Sequence, residues 1–343
     1  MEKYSFLNDY SEGCHPEILQ ALSESNMQQH LPYGDDAISN RARQAIQKHL
    51  GQINAEIRFI AGGTLANAII AASILRPFEA VIAVESAHIA MFETGAIEAT
   101  GHKVITAPGE NGKLTVKAIE AALSEHAHFP HTVRPRAIYI SNTTELGTVY
   151  SRDELVQLSD TCRQNGLLLW LDGARLGAAL AADDELSLKV IAECADVFWI
   201  GGTKAGALAG EALVIANEKL ADGIDLALKQ RGAMLSKGRF LGCQFETLFT
   251  NDLFFRTGQQ AHELAQAFSR AIKDAGFELF VESGSNQIFT ILPDTLIESL
   301  MEEFEFHIWS RHDDSHSVVR LVTSWATQKD RVDLFVNRLN EFQ

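Results

Sequence analysis

The chain of 343 residues has few cysteines, and their spacing excludes the usual cysteine-based frameworks. They are Cys14, Cys162, Cys194 and Cys243, which lie far apart and form no C-x-x-C pair. Neither a disulfide framework nor a cysteine-based zinc site follows from such spacing. We therefore expect reduced thiols, which are typical of the cytoplasm, and a cytoplasmic protein.

A positively charged surface and a long apolar run are also lacking. The chain has 29 Lys and Arg against 45 Asp and Glu, a formal net charge of −16. This balance argues against nucleic acid or an anionic membrane as partner. No apolar run approaches the roughly 20 residues that a membrane-spanning helix needs. The first residues, MEKYSFLNDYSEG, contain no apolar core and no cleavage signal, so we expect no secretory signal.

Two histidine-rich stretches could suggest a metal site, but we expect none. The stretch HAHFPH at 126–131 leads into a proline-containing turn, and HDDSH at 312–316 is a polar loop. A tight metal site needs defined geometry and supporting hydrogen bonds, and solvated loop histidines explain both patterns more simply.

Short apolar runs rich in β-branched residues alternate with helical stretches. The predicted strands are 56–60, 80–84, 103–107, 136–141, 167–172, 196–201 and 211–216. The predicted helices between them are 64–75, 88–99, 115–126, 152–165 and 185–193. Several strands are continuously apolar, which indicates burial on both faces and favours an α/β fold with a mostly parallel seven-stranded sheet covered by helices on both sides. The last two strands are too close for a helical crossover, so we expect that pair to be antiparallel.

The pattern changes near residue 246. A long helical stretch at about 251–275 is followed by shorter strands and helices, which predicts a smaller α+β domain. We expect an amino-terminal arm at 1–20, a large α/β domain at 21–245 and a small domain at 246–343. Ligands of open α/β sheets bind at the carboxyl ends of the strands, so polar residues there are the candidate site.

Two of these strand ends carry candidate binding groups. In AGGTLANAII at 61–70, Gly63 and Thr64 open a helix and could hold a phosphate, although a glycine-rich helix start is often only structural. In LDGARL, Asp172 ends an apolar strand, where its charge needs a partner. A local pair with Arg175, or a helix N-cap, is the alternative to a functional role.

Two further strand ends carry candidate catalytic groups. Lys204 follows a strand within GGTKAGALAGEA, and a lysine in an apolar crevice becomes a nucleophile; a surface lysine is the alternative. His88 lies just beyond another strand, although a single histidine is more often structural. Pyridoxal phosphate needs a lysine to bind it, a carboxylate for its ring nitrogen, a group to stack on its ring and a cradle for its phosphate. The chain offers such groups in the order phosphate cradle, histidine, aspartate and lysine.

Five motifs carry a family resemblance: AGGTLANA, SNTTELGTVY, LDGARLGAAL, GGTKAGALAGEA and RLVTSWAT. They resemble the threonine aldolase family of fold-type I pyridoxal-phosphate enzymes, which is grouped with the β-eliminating lyases. The resemblance covers nearly the whole chain. It implies a fold-type I architecture, pyridoxal 5'-phosphate as cofactor, an amino acid as substrate, and a homodimer or homotetramer with active sites shared across an interface.

The resemblance also implies roles for individual residues. Lys204 matches the family's cofactor lysine, Asp172 the partner of the pyridine nitrogen and His88 the histidine that stacks on the ring. The phosphate binders match Gly63 and Thr64.

Other residues match the family's substrate-binding positions. Arg175 and Arg320 match the arginines that bind the substrate carboxylate. Arg320 lies within a strand pattern, VVRLVT, where an unpaired guanidinium would be costly and a carboxylate would satisfy it. Arg239 matches an arginine that reaches the cofactor pocket, in the same or a neighbouring subunit, and Tyr33 of the YGDD stretch could line the site.

At two positions the sequence departs from the family pattern. Thr144 stands where many members have a histidine near the substrate β-hydroxyl. Asn8 stands where the family often has a serine that contacts the substrate carboxylate. These departures concern the β-substituent of the substrate and not the cofactor.

The sequence therefore predicts a pyridoxal-phosphate-dependent lyase. The first hypothesis is an aldolase that cleaves threonine, allo-threonine or phenylserine into glycine and an aldehyde, with His88 as the base. The second is a β-eliminating lyase that releases ammonia and an oxo acid. The third is a non-catalytic module that binds a phosphorylated metabolite, which leaves Lys204, Asp172 and Arg320 without a role.

Overall fold

The structure, a computed structural model, describes residues 3–342. The strands in the first two thirds of the chain are β1 (Tyr4–Ser5), β2 (Glu56–Ile60), β3 (Glu79–Val84), β4 (Lys103–Ala107), β5 (Gly109–Glu110), β6 (Lys113–Leu114), β7 (Arg134–Ser141), β8 (Leu168–Gly173), β9 (Val197–Gly201) and β10 (Glu211–Ile215). The later strands are β11 (Leu279–Val281), β12 (Gln287–Pro293), β13 (Phe304–Glu305), β14 (His307–Arg311) and β15 (His316–Val322).

The helices follow the same division. The earlier ones are α1 (Pro16–Ser25), α2 (Ala37–Gln47), α3 (Gly63–Ile74), α4 (His88–Met91), α5 (Val116–Glu125), α6 (Arg152–Asn165), α7 (Leu176–Ala182), α8 (Leu188–Cys194) and α9 (Ile224–Gln230). The later ones are α10 (Arg239–Phe249), α11 (Leu253–Asp274), α12 (Asp294–Leu300) and α13 (Lys329–Glu341). No helix within residues 3–342 is long and apolar enough to cross a membrane.

Seven strands form the main sheet in the order β2-β10-β9-β8-β7-β3-β4 within the described residues. The pairs from β9 through β4 are parallel, whereas β10 is antiparallel to both β9 and β2. Every residue of β3, β9 and β10 is buried, because helices cover both sides of the sheet. The prediction of a mostly parallel seven-stranded sheet with an antiparallel last pair is confirmed.

The helix expected at 88–99 is much shorter in the structure. It ends at Met91, and the chain then turns through Thr94 and Gly95, both with positive φ. A left-handed backbone is incompatible with a continuing α-helix. Glu93 lies between the end of α4 and this turn, and its Oε1 is 2.9 Å from the Nδ1 of His88 at the start of α4.

A four-stranded antiparallel sheet, β11-β12-β15-β14, and its helices form the smaller carboxyl-terminal domain. Its core contains Phe268, Phe304 and Phe335, and also Phe6 from the amino-terminal segment. Strand β1 pairs in parallel with β13, so the first residues of the described chain belong to this second core. The domain limits at 20/21 and 245/246 stay predictions.

The strand register brings the candidate residues to one edge of the main sheet. Asp172 near the end of β8 lies beside Ser141 at the end of β7. At the start of antiparallel β10, Glu211 lies between Gly201 and Ile60, the last residues of β9 and β2. This edge therefore collects the chain segments that follow four different strands.

Candidate active site

A cavity of about 400 Å³ lies at this edge of the sheet. It is lined by most of the residues singled out in the sequence: Gly63, Thr64, His88, Thr144, Asp172, Arg175 and Lys204. Residues that the sequence analysis did not name also line it, among them Tyr10, Glu93, Glu145, Trp199 and Glu211.

The amino terminus of α3 opens into the cavity without a side-chain cap. Gly62 is the N-cap residue, and no side chain accepts a hydrogen bond from the first turn. A Cβ atom at Gly63 would lie 2.6 Å from Cη2 of Trp199, so the close packing of this turn on the indole requires glycine. Free backbone N–H groups at the positive end of a helix of 12 residues suit a phosphate group.

Asp172 is almost completely buried, with 3% of its surface exposed. Its Oδ1 accepts a hydrogen bond from the Ala174 N–H at 2.9 Å. Its Oδ2 accepts hydrogen bonds from the Tyr139 hydroxyl at 2.5 Å and from the Asn67 amide at 3.3 Å. Among the described residues these donors, and not Arg175, satisfy the carboxylate, so a local Asp172–Arg175 pair is not formed.

His88 is held by two carboxylates. Its ring Nδ1 lies 2.9 Å from Glu93 Oε1, and its backbone N–H donates to Glu145 Oε1 at 2.9 Å. Burial favours the neutral ring, but the Glu93 hydrogen bond and the charges of Asp172 and Glu93 outweigh it and raise the pKa of His88. Burial, together with the Asp172 charge, raises the pKa of Glu145.

Lys204 lies in the turn after β9, and its amine is poised between charged and neutral forms. Burial and the positive charge of Arg175 lower the pKa of Lys204 to about 8, against the opposing charges of Asp9, Asp172 and Glu211. Within residues 3–342 its Nζ has no hydrogen bond or ion pair, and it lies 5.8 Å from the ring centre of Tyr10.

Glu211 is a second buried group whose charge depends on pH near neutrality. It accepts hydrogen bonds from the Gly202 N–H at 2.9 Å and the Thr203 hydroxyl at 3.0 Å, and so supports the turn that carries Lys204. Burial raises the pKa of Glu211 to about 8, although these hydrogen bonds and Lys204 act in the opposite direction.

Arg175 pairs with Asp9 of the amino-terminal segment. Its Nε and Nη2 donate to the two carboxylate oxygens of Asp9 at 2.8 and 3.1 Å. The Nη1 of Arg175 makes no hydrogen bond with any described residue. Arg175 lines the cavity while Asp9 lies behind it.

The remaining predicted residues do not line this cavity within the described chain. Arg320 donates to the Leu7 carbonyl at 3.2 Å and lies over the Trp309 ring, while its buried Nε has no partner among residues 3–342. Burial and the nearby charge of Arg175 lower the pKa of Arg320. An unsatisfied guanidinium N–H beside Arg175 is suited to receive a carboxylate.

Arg239, Tyr33 and Asn8 are engaged elsewhere in the single chain. Arg239 donates to the Ser25 and Asn26 carbonyls at the end of α1. Tyr33 lies in a separate cavity, with the Lys229 amine 4.5 Å from its ring centre. Asn8 accepts hydrogen bonds from the Tyr10 N–H at 2.9 Å and the Ser11 hydroxyl at 3.1 Å, which orients the turn beside Asp9.

Sequence reasoning missed the residues that hold the predicted ones in place. Three of them lie inside apolar or helical patterns, where a single polar residue does not indicate a functional role: Asn67, Glu93 and Tyr139. One signal could have found Glu145: it follows a run of polar residues directly after β7, at the strand end where sites form.

The groups in the cavity fit pyridoxal phosphate. The uncapped helix start suits its phosphate, the buried Asp172 carboxylate suits a protonated ring nitrogen, and an amine without a partner suits its aldehyde.

Comparison with known proteins agrees with this chemistry. The sequence model of the family described as Beta-eliminating lyase matches residues 6–294. The low specificity L-threonine aldolase of Pseudomonas sp. strain NCIMB 10558 is 34% identical over 341 residues, which cover 96% of this chain and 95% of the relative. The enzyme of the same name from Saccharomyces cerevisiae is 26% identical over 82% of this chain and 74% of the relative.

Solved structures extend the comparison to the fold. A threonine aldolase from Leishmania major superposes with a TM-score of 0.96 at 45% identity and covers 99% of both chains. A Thermus thermophilus aspartate aminotransferase, a fold-type I pyridoxal-phosphate enzyme, superposes with a TM-score of 0.74 at 14% identity, over 100% of this chain and 92% of that one. The second likeness concerns the fold alone. The predicted fold type and cofactor are confirmed, and the chain belongs to the beta-eliminating lyase family of pyridoxal-phosphate-dependent lyases.

Proposed function

We propose that this protein cleaves β-hydroxy-α-amino acids of the threonine type between Cα and Cβ, releasing glycine and an aldehyde. The observation that carries the proposal is the cavity in which the Lys204 amine, the buried Asp172 carboxylate and the His88–Glu93 pair meet. The relatives named as low specificity L-threonine aldolases support the same reaction.

Five residues would hold the cofactor. Lys204 would bind its aldehyde, Asp172 would pair with its ring nitrogen, His88 would stack on its ring, and Gly63 and Thr64 would bind its phosphate. When bound, pyridoxal phosphate would supply a sink for the electrons released when the Cα–Cβ bond breaks. The Asp172 charge would keep that sink effective, and the donors around Asp172 hold its carboxylate in place.

Arg175 and Arg320 bind the substrate carboxylate. Arg175 has Nη1 free of protein partners and Arg320 has a buried Nε without one, so each can donate to an anionic oxygen. Fixing the carboxylate orients the bond that breaks, and such positioning lowers the barrier to the reaction.

His88 removes the proton from the substrate β-hydroxyl. Its Nδ1 faces Glu93, so Nε2 is the nitrogen that accepts the proton, and the Glu93 carboxylate stabilises the charged ring that results. Thr144 does not replace a histidine as the base, because a neutral hydroxyl is too weakly basic; its hydroxyl is hydrogen-bonded to the Thr148 hydroxyl at 2.8 Å. It lines the cavity and contributes to the space for the β-substituent.

The cysteine pattern supports a cytoplasmic location, which stays a prediction. Asn8, Arg239 and Tyr33 also keep their predicted roles only as proposals, and for Arg239 and Tyr33 a second subunit would have to bring them to a site.

The carbon–carbon cleavage is tested by an amino-acid panel. Protein loaded with pyridoxal phosphate is given L-threonine, L-allo-threonine and phenylserine, and glycine, aldehyde and ammonia are all measured. We expect equal amounts of glycine and aldehyde, and no product from Lys204→Ala, which lacks the amine. Ammonia and an oxo acid without glycine would instead establish β-elimination.

Replacing Asp172 by Asn tests the electron sink. The change is nearly isosteric but removes the charge, so we expect kcat to fall by about 100-fold or more. Because Arg175 pairs with Asp9 and not with Asp172, KM should change little. Tyr139→Phe is the control, because it removes one hydrogen bond to Asp172 and keeps the charge. Its kcat should fall much less. A kcat within about threefold of wild type for Asp172→Asn contradicts the assignment.

Replacing Glu93 by Gln tests the base. His88 must be neutral to accept a proton, so activity rises with pH as the ring loses its own proton. Glu93 raises the pKa of His88, so its neutralisation lowers that pKa and moves the acid limb of kcat/KM to lower pH. The measurement is the pH profile of kcat/KM beside Glu98→Gln, an exposed control. An unmoved acid limb excludes His88 as the titrating base.

Self-association is the last part of the proposal. Met91 and Phe92, directly beside His88, are exposed to 61% and 53% in the single chain, and apolar side chains next to a site are typical of an interface. We expect light scattering of the active protein to give the mass of a dimer or tetramer. An active monomer would rule out a shared site.

A further inference from the structure

Asp9 is an enclosed charge of the amino-terminal segment. It is 1% exposed, and both of its carboxylate oxygens accept hydrogen bonds from Arg175. Oδ2 also accepts one from the Asn286 amide at 2.9 Å. A buried carboxylate with this many donors is fixed in position.

These contacts join three distant parts of the chain. Asp9 follows β1 and Phe6, which pack into the carboxyl-terminal domain. Arg175 is the N-cap residue of α7 in the large domain, and Asn286 lies just before β12 of the small one. Asn286 also donates to the Thr323 carbonyl at 2.7 Å, so the cluster is anchored on that side as well.

The cluster touches the site through Lys204. A second, small cavity is lined by Asp9 and Asn286 and shares Arg175 and Lys204 with the main one. Arg175 and Lys204 repel each other, and the Asp9 charge opposes that repulsion. The other charges that act on Lys204 are those of Asp172 and Glu211. The Asp9 charge also attracts that of Arg320.

We propose that Asp9 is a positioning residue: it holds the Arg175 guanidinium so that Nη1 remains for the substrate, and it balances the Arg175 charge beside Lys204. The site then binds substrate and cofactor correctly only when the amino-terminal segment is packed between the two domains. The part of the inference that concerns the substrate rests on the proposed function, whereas the part that concerns Lys204 does not.

The test uses Asp9→Asn in the protein loaded with pyridoxal phosphate. We expect the pH titration of the absorbance of the bound cofactor, which reports protonation of the nitrogen that Lys204 contributes, to move to lower pH by about one unit, because Arg175 is no longer balanced. We also expect KM for the amino acid to rise about tenfold or more, with kcat within about threefold.

Asp36→Asn is the matched control. Asp36 is also 1% exposed and is bonded to the Ser39 N–H and hydroxyl at 2.8 Å, but it caps α2 and has no contact with the site. A general loss of stability would affect both variants, whereas only Asp9→Asn should move the titration and KM. An Asp9→Asn protein that matches Asp36→Asn in both measurements overturns the proposal.

Where Asp9→Asn does not fold, the double variant Asp9→Asn/Arg175→Gln decides, because it leaves no unpaired buried charge. We expect its titration to return close to that of the wild type, because the Arg175 charge that Asp9 balanced is also gone; a titration that stays about one unit lower overturns the proposal. Failure of the proposed function is recognised separately, since it changes the products of the amino-acid panel and leaves the cofactor titration of Asp9→Asn as an independent result.

Discussion

Asp172 carries a charge at the end of a strand whose other residues are buried, and a charge in that place needs donors around it. The Asn67 amide is one of them, and the same amide group also binds Glu93. The Asn67 carbonyl in turn accepts the indole N–H of Trp199, against which the glycine turn of α3 packs. The buried Asp172 carboxylate is thus connected through Asn67 both to the indole on which the start of α3 packs and to the carboxylate that holds His88.

The second constraint is charge balance behind the lysine. Lys204 and Glu211 both have a pKa of about 8, shifted in opposite directions from their usual values, because both are buried. Arg175 would make the lysine still less basic, and Asp9 counteracts it. The Asp9 carboxylate, which belongs to the amino-terminal segment, therefore limits how far the pKa of Lys204 falls.

The strands and the order of chemical groups could be predicted because they depend on local patterns. Continuous apolar runs identified the strands of the main sheet, and the polar residues directly after them, such as Asp172 and Lys204, do line one cavity. The supporting residues could not be predicted, since nothing next to Tyr139 or Asn67 in the chain indicates that both face the same carboxylate. The same holds for the helix expected at 88–99, which ends early and returns Glu93 to His88.

Sequence pattern was thus sufficient for the sheet, its antiparallel strand β10 and the cofactor, since each leaves a signature within a few neighbouring residues. Folding in three dimensions assigned the partners of the charges. Arg175 pairs with Asp9, 166 positions away, and Asp9 is bonded to Asn286, 277 positions away. A buried charge is satisfied by whichever opposite group the packed chain brings within hydrogen-bond distance, and separation along the sequence carries no information about that distance.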